Sequence, residues 1–185
     1  MSLAIITGST GLVGSEAVNF FHDKDFEVIG IDNNLRKLFF GKNGSTSWIK
    51  LKLLKRNKNF KNYNIDIRNL NSVTNIFKRY KKKISVIIHC AAQPSHDYGK
   101  NFPFLDFNVN ATGTLNLLEL TKKYCPEAPF IFMSTNKVYG DNPNKLKIFE
   151  KKTRWELKKK DKFYKVIKEN FSIDNATHSF FGVSK

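Results

Sequence analysis

Short apolar blocks alternate with amphipathic stretches along the chain, and this alternation is typical of β-strands that alternate with helices. The block at residues 85–91 is almost continuously apolar, as expected for a strand that helices cover on both faces. Further blocks predict strands at residues 3–7, 27–31, 63–66 and 130–134. Because helical stretches separate these blocks, the strands are expected to lie parallel in one sheet.

Apolar residues at helical spacing predict helices at residues 15–23, 70–80 and 107–124. Residues 33–61 are polar, basic and weakly patterned, and we expect a long excursion with some helix there. Residues 141–160 have the composition of a loop. Together the elements predict one α/β domain over residues 1–185, a doubly wound parallel sheet with helices on both faces.

A glycine loop joins the first strand to the first helix. Gly8, Gly11 and Gly14 have the spacing GxxGxxG, directly after a strand and directly before a helix. Glycines there allow a tight turn, let the backbone approach a pyrophosphate, and let the helix pack closely on the strand. The free N–H groups of the helix N-terminus favour phosphate. The loop therefore predicts a Rossmann-like fold that binds a dinucleotide, with Leu12 and Val13 also beside the cofactor.

Asp32 ends the second strand, about 20 residues after the glycine loop, where such folds bind the adenosine ribose. A carboxylate there can accept hydrogen bonds from both ribose hydroxyls and repels a 2′-phosphate. NAD is therefore favoured over NADP, and Asn33 is expected to contact the cofactor beside Asp32. Arg36 leaves NADP open, because an arginine can accommodate the additional phosphate.

The chain is strongly basic, with 32 Lys and Arg against 16 Asp and Glu and a formal net charge of +16. Lysine clusters can indicate nucleic acid or an anionic surface as a partner. The chain is also rich in Asn, Phe and Ile, and such compositional drift loads solvated positions with lysine. Since no nucleic-acid-binding motif is present, we expect no nucleic-acid partner.

Apolar runs and cysteines exclude several further classes. No run reaches the 18 residues that indicate a membrane span, and the N-terminus lacks the features of a signal peptide, so we expect a cytoplasmic protein without a membrane partner. Cys90 and Cys125 predict no disulfide framework and no metal site, because neither has a partner at ligand spacing. Cys90 is expected to be a small buried core residue.

Four later segments resemble the extended short-chain dehydrogenases/reductases, the NAD-dependent epimerase/dehydratase family. They are Asp66-Ile67-Arg68-Asn69, His89-Cys90-Ala91-Ala92-Gln93, Asn110-Ala111-Thr112-Gly113-Thr114 and Ser134-Thr135-Asn136-Lys137-Val138-Tyr139-Gly140. The resemblance implies NAD as the cofactor. It also implies that further residues contact NAD, namely Asp66 and Ile67 at the adenine, Ala91, Ala92 and Gln93 beneath the cofactor, and Asn110, Thr135 and Lys185.

Within this family the segment at residues 134–141 resembles the CDP-paratose (CDP-tyvelose) 2-epimerases. Related 4,6-dehydratases have Asp-Glu after the threonine to eliminate water, whereas this chain has Asn136 and Lys137, which cannot supply that acid and base. The resemblance implies a nucleotide-sugar substrate, a sugar carbon of which is transiently oxidised and then reduced. Thr135 would hydrogen-bond the reacting oxygen, and Lys185 would hold the nicotinamide ribose.

The chain departs from the family at the general base. The family motif is YxxxK, but Phe181 stands four residues before Lys185, and phenylalanine has no proton to exchange. Another group must then act. His96 is our candidate, with an exposed loop histidine as its alternative, and Tyr139 and Tyr164 are further candidates.

Members of the family have a second half, which brings later strands and the domain that grips the nucleotide sugar. We therefore expect an incomplete Rossmann domain, without the substrate domain and inactive alone. The resemblance also suggests a homodimer. Two alternatives stay open: a non-catalytic NAD-binding remnant and a reductase of the same family.

Overall fold

A computed structural model of the protein describes residues 2–164 and 166–185. Five parallel strands form the main sheet in the order β3-β2-β1-β4-β5. The strands are β1 (Leu3–Thr7), β2 (Glu27–Ile31), β3 (Phe60–Tyr63), β4 (Ile84–His89) and β5 (Phe130–Phe132). This arrangement confirms the predicted α/β class and parallel sheet.

Helices follow the strands and lie on both faces of the sheet. They are α1 (Leu12–His22), α2 (Arg36–Phe40), α3 (Ser47–Arg56), α4 (Leu70–Tyr80), α5 (His96–Asn101), α6 (Pro103–Phe107), α7 (Gly113–Tyr124) and α8 (Phe180–Ser184). A π-helical turn, Asn108–Thr112, joins α6 to α7. A separate antiparallel hairpin consists of β6 (Ile148–Glu150) and β7 (Trp155–Leu157).

The core forms on the two faces of β1, because successive side chains of a strand point to opposite sides. Ile5 packs in a cluster with Phe77 of α4 and Leu117 of α7, and all three are fully buried. Ile6 packs on the other face with Val18 of α1. The burial of all five β1 residues explains why this strand reads as a continuous apolar run.

Helix α4 shows how the sequence pattern produces an element and its position. Val73, Ile76, Phe77 and Tyr80 are its buried residues, and their spacing places them on one side of a 3.6-residue helix. The helix begins where the side chain of Asn69 accepts a hydrogen bond from the Ser72 N–H, which satisfies one of the N–H groups left open at a helix start. Its predicted bounds are confirmed, as are those of β1 and β2.

The third strand was predicted at residues 63–66, and that placement is wrong. Phe60–Tyr63 forms β3, in register with residues 28–31 of β2. Phe60 is buried on the sheet face, while the polar Lys61 is tolerated because β3 is an edge strand. The chain turns away after Tyr63, and the Asp66 carboxylate accepts a hydrogen bond from the Arg68 N–H.

Five other predictions need correction. The first helix begins at Leu12 rather than at residue 15, because Gly11 is its N-cap. The helix predicted at residues 107–124 is divided by the π-helical turn. The predicted strands at residues 85–91 and 130–134 end earlier, at His89 and Phe132. Residues 141–160 contain the β6–β7 hairpin, although a loop was expected.

The longest helix in the part of the chain that the structure describes has 12 residues, and none there is long and apolar enough to cross a bilayer.

We expect Phe77→Ala to lower the free energy of unfolding by about 3–5 kcal/mol, because it leaves a cavity in the larger cluster. Phe104→Ala is the matched control, since Phe104 is 85% exposed on α6. Urea denaturation followed by circular dichroism measures both. Equal losses for the two variants would contradict the assignment of Phe77 to the core.

Candidate functional site

A cleft of about 250 Å³ opens at the carboxyl ends of β1, β2 and β4, which is where open parallel sheets bind ligands. The structure brings most of the predicted cofactor-binding residues together there. Those that line the cleft are Gly8, Gly11, Leu12, Val13, Gly14, Asp32, Asn33, Asp66, Ile67, Ala91 and Ala92. Gln93, Asn110, Thr135 and Lys185 are not part of this lining.

The glycine loop forms a cradle that only glycine can build. Gly8 has a φ of 63°, and a Cβ there would lie 2.7 Å from the Ala91 nitrogen. A Cβ on Gly14 would lie 2.0 Å from the Gly8 carbonyl oxygen, so this close approach of helix to loop requires glycine. Within α1 no side chain caps the N-terminus at Gly11, and the first turn contains no acidic residue. Its open N–H groups therefore suit an anionic ligand.

Asp32 lies at the end of β2 with its carboxylate fixed by backbone donors. The Thr10 N–H donates to Oδ2 at 2.9 Å, and the Asn34 N–H donates to Oδ1 at 2.8 Å. Each carboxylate oxygen can accept a second hydrogen bond, so Asp32 can still bind two hydroxyl groups. Asn33 extends the same wall, where its Nδ2 donates to Asp66 Oδ2 at 3.0 Å.

Asp66, next to Asn33 in the cleft lining, is held by Arg68. The Arg68 Nε donates to Oδ1 at 2.9 Å, and an Arg68 terminal nitrogen donates to Oδ2 at 2.6 Å. Partial burial raises the pKa of the Asp66 carboxyl, but the hydrogen bonds from Arg68 and its charge outweigh burial, so this pKa lies below its ordinary value. Asp66 is therefore ionised at neutral pH and acts as an acceptor.

Behind the cleft, a directed chain of hydrogen bonds runs through the buried His89. The Thr114 hydroxyl donates to the Asn110 carbonyl oxygen, so it accepts from Nε2–H of His89, 2.9 Å away. His89 Nδ1 must then accept from the Thr7 hydroxyl at 2.6 Å, and Thr7 in turn accepts from the Ala91 N–H. These bonds fix the tautomer of His89. They also connect strands β1 and β4 to the first turn of α7.

A second buried network contains Gln93 and Asn110. Both are almost fully buried, and the Gln93 N–H donates to Asn110 Oδ1 at 2.9 Å. The carboxylate of the buried Asp106 accepts from Gln93 Nε2 at 2.6 Å and from the Ser184 hydroxyl at 2.5 Å. Asn110 Nδ2 also donates to the Ser184 hydroxyl at 3.0 Å, so this network connects the cleft wall to α8. The predicted cofactor contacts of Gln93 and Asn110 stay predictions.

Helix α8 and the turn after β5 bring together three of the predicted catalytic residues. Thr135 is half-buried at the start of a short 3₁₀ turn, and Gly182 of α8 packs so closely on this turn that a Cβ would lie 2.6 Å from the Lys137 carbonyl oxygen. Phe181 is 9% exposed on the same helix. Lys185 Nζ donates to the Met133 carbonyl oxygen at 2.6 Å and lies 4.5 Å from the centre of the Phe132 ring. Burial lowers the pKa of Lys185 to about 8, against the opposing effects of Cys90 and Asp106.

Of the other candidate bases, His96 lies on a different helix, whereas Tyr139 is the last residue of the 3₁₀ turn that Thr135 begins. His96 is exposed at the start of α5, where its ring contacts the neighbouring Asp97. Tyr139 packs edge-on against Phe171, with 5.5 Å between the ring centres, and Tyr164 is half-buried after the β6–β7 hairpin. Among the described residues no three His, Cys, Asp or Glu side chains form a group that could hold a metal ion.

Several cleft residues were missed by the sequence analysis. Cys90, expected in the core, is half-buried and lines the cleft. Thr46 also lines it and reaches Thr10, with 2.7 Å between the hydroxyl oxygens, although it comes from the weakly patterned excursion. A signal was available for the buried networks, because His89 is a polar residue inside an apolar strand, and Asp106 and Asn110 are four residues apart on adjoining helical turns.

Comparisons with known proteins relate this chain to nucleotide-sugar epimerases and dehydratases by sequence, and they find the same fold in solved structures. A family profile described as GDP-mannose 4,6 dehydratase matches residues 5–156. CDP-paratose 2-epimerase of Salmonella typhi is 34% identical over 181 residues, which is 98% of this chain and 49% of that protein. UDP-glucuronate 4-epimerase of Thermodesulfobacterium geofontis is 33% identical over 77% of this chain and 42% of its own length. The chain therefore spans about half the length of these curated relatives.

Solved structures share the fold. The UDP-Glc/GlcNAc 4-epimerase of Campylobacter jejuni superposes with a TM-score of 0.72 at 24% identity, over 100% of this chain and 46% of that chain. The UDP-glucose 4-epimerase of Bifidobacterium longum, solved in complex with NAD⁺ and UDP, gives the same TM-score at 22% identity over 100% and 46%. A Thermotoga maritima UDP-glucose 4-epimerase with UDP-glucose is 29% identical over 82% of this chain and 42% of its own, with a TM-score of 0.61.

We expect His89 to stay neutral in the folded protein far below the pH at which a free histidine titrates. Burial, together with the smaller effect of the Lys185 charge, lowers its pKa to about 3. As pH falls, the unfolded chain, with a histidine pKa of about 6.5, binds a proton before the folded chain does. The folded state therefore has its full stability above about pH 6.5 and loses stability as pH falls towards 3. The loss from His89 approaches about 1.4 kcal/mol per pH unit within that window.

Urea denaturation between pH 7 and 4, compared with His89→Gln, isolates this slope from that of the carboxylates. Nitrogen-15 spectra of the imidazole at about pH 5, below the ordinary histidine pKa, should show a neutral ring protonated at Nε2. A protonated His89 in the folded chain at that pH would contradict the hydrogen-bond chain.

Proposed function

The chain belongs to the GDP-mannose 4,6-dehydratase family of NAD-dependent nucleotide-sugar epimerases and dehydratases, and on that premise we propose that it is the NAD-binding portion of a nucleotide-sugar epimerase. The cleft in front of the glycine loop carries the proposal. Eleven predicted cofactor residues converge on it, and the close packing of Gly14 on Gly8 leaves the N-terminus of α1 open to a pyrophosphate.

We propose NAD rather than NADP as the ligand. Asp32 is placed to accept hydrogen bonds from the adenosine ribose hydroxyls, and its carboxylate would repel a 2′-phosphate. Bound NAD supplies the hydride acceptor and donor for the transient oxidation of a sugar carbon. In this assignment Asp66 binds the adenine amine, and the small Ala91 and Ala92 let the cofactor lie against β4.

The proposal gives Thr135 the hydrogen bond to the reacting sugar oxygen and Lys185 the nicotinamide ribose. The support is that α8 packs on the 3₁₀ turn of residues 136–139. Because of this contact, Thr135 and Lys185 lie near the same end of the sheet. The relative with 34% identity is a CDP-paratose 2-epimerase, so CDP-paratose is the first substrate to test. Because the chain spans about half of that relative, we propose that turnover requires the other half of that length.

A second candidate, a non-catalytic NAD-binding protein, is favoured by one observation. Phe181 occupies the position of the family's general base and is buried at 9% exposure. A protein of this kind would bind NAD without exchanging a proton with a sugar. This candidate and the epimerase agree on cofactor binding and differ in turnover.

We expect the purified chain to release NAD on denaturation and to bind added NAD more tightly than NADP. Gly11→Asp should weaken this binding, because a carboxylate at the helix N-terminus repels the pyrophosphate. Gly11→Asn is the matched control of equal size without charge, and it should bind NAD about tenfold more tightly than the aspartate variant. Mass spectrometry of the released cofactor and isothermal titration measure both. A folded chain that binds neither dinucleotide would reject the proposal.

Turnover separates the two candidates. The fusion joins this chain to the C-terminal part of the Salmonella relative, which this chain does not cover. We expect this fusion to epimerise CDP-paratose, and NMR of the sugar measures the reaction. The same fusion with Phe181→Tyr is the companion variant. Activity only with tyrosine, at unchanged NAD affinity, would favour the non-catalytic protein, whereas activity with phenylalanine would show that another group exchanges the proton.

A further inference from the structure

The outward side of α3 presents apolar side chains to solvent. Trp48 is 65% exposed, Leu51 68% and Leu54 42%, whereas Leu53 on the inward side is 3% exposed and packs on the sheet. A surface helix of a globular protein normally has polar residues in these outward positions. We call Trp48, Leu51 and Leu54, together with Lys50, Lys52 and Lys55 on the same helix, the outward face of α3.

The charged side chains of the segment that contains α3 are all basic, and Glu16 of α1 lines a groove beside Trp48 and Lys52. Residues 33–65 contain no Asp or Glu and nine basic residues, which are Arg36, Lys37, Lys42, Lys50, Lys52, Lys55, Arg56, Lys58 and Lys61. Arg56 and Lys61 are paired with Asp23 and Glu27 from outside the segment. Among the described residues, Lys50, Lys52 and Lys55 have no carboxylate within salt-bridge distance.

We propose that the outward face of α3 binds the surface of an anionic lipid bilayer. A helix with leucine and tryptophan on one side and lysines beside them lies in the plane of the interface, with its apolar side chains at the level of the headgroups. Tryptophan is favoured at that depth, and each lysine close to the surface gains from the negative potential. Such binding needs no spanning segment, so it revises the expectation of no membrane partner.

The fold allows this contact without rearrangement. Leu53 and Ile49 already fix α3 against the sheet, so the apolar residues on the outward face are not needed for packing. The cofactor cleft does not include Trp48, Leu51 or Leu54. Trp48 lines a neighbouring groove, whereas Leu51 and Leu54 line neither that groove nor the cleft, so we expect lipid binding to leave the cofactor cleft open.

Other occupants fit the face less well. A symmetric dimer would oppose this face with its own copy, and Lys50, Lys52 and Lys55 of one copy would repel those of the other. Nucleic acid would pair with the lysines through its phosphates, but it offers no apolar surface to Leu51 and Leu54. A bilayer with anionic headgroups satisfies both the charge and the apolar residues.

Co-sedimentation with vesicles tests the proposal at physiological ionic strength. We expect the chain to bind vesicles of phosphatidylcholine and phosphatidylglycerol in equal parts, and not vesicles of phosphatidylcholine alone. Trp155→Phe leaves Trp48 as the single tryptophan. Its emission should then shift to shorter wavelength on the anionic vesicles and be quenched by brominated acyl chains.

Matched charge variants distinguish the face from the net charge. Replacing Lys50, Lys52 and Lys55 by Gln should weaken vesicle binding on the order of 100-fold, at about fivefold per lysine. Replacing Lys158, Lys159 and Lys160 by Gln changes the net charge equally and should have less than a fivefold effect. Trp48→Ser with Leu51→Ser should also weaken binding, with NAD affinity unchanged as the control for folding.

Three results would overturn the proposal. The first is no binding to anionic vesicles, and the second is equal weakening by the two lysine triples. The third is binding to duplex DNA as tight as to vesicles and insensitive to Trp48→Ser with Leu51→Ser, which would show a general affinity for polyanions.

Discussion

The contact between the backbones of Gly14 and Gly8 determines the geometry of the cleft. It sets how closely α1 approaches the end of β1, and therefore where the open N–H groups of that helix point. Gly8 in turn donates its N–H to the Ile31 carbonyl oxygen at 2.8 Å, which ties the loop to β2 just before Asp32. The phosphate end and the ribose end of the cleft are thus positioned by the same few backbone atoms.

The far end of the cleft depends on polar rather than apolar packing. Asp106 is a fully buried carboxylate whose hydrogen bonds come from Gln93 after β4 and Ser184 on α8. A buried carboxyl group without hydrogen-bond partners would be strongly unfavourable, so these bonds hold α8 in one position. Helix α8 has only five residues and would not be stable alone, which makes the placement of Phe181 and Lys185 a property of this network.

Local patterns predicted the parts of the fold that local physics determines. The bounds of β1, β2 and α4 follow from apolar period and caps, and the glycine loop follows from backbone sterics. Strand β3 was misplaced because Phe60 alone marks its buried side, and its register depends on pairing with β2. The same distinction applies to the site, where the spacing of residues was enough to predict the glycine loop and Asp32. The true environment of Gln93 and Asn110 involves residues up to 78 positions apart, which no local window contains.

The hydrogen-bond chain through His89 restricts how the sequence can diverge. Thr7, His89 and Thr114 come from separate parts of the chain, yet each satisfies the polar atoms of the next. An apolar replacement of His89 alone leaves both threonine hydroxyls with one partner fewer in the interior, whereas replacement of all three can restore a satisfied core. A single substitution at any of these three positions is therefore unfavourable. We expect the three residues to change together during evolution or in directed libraries.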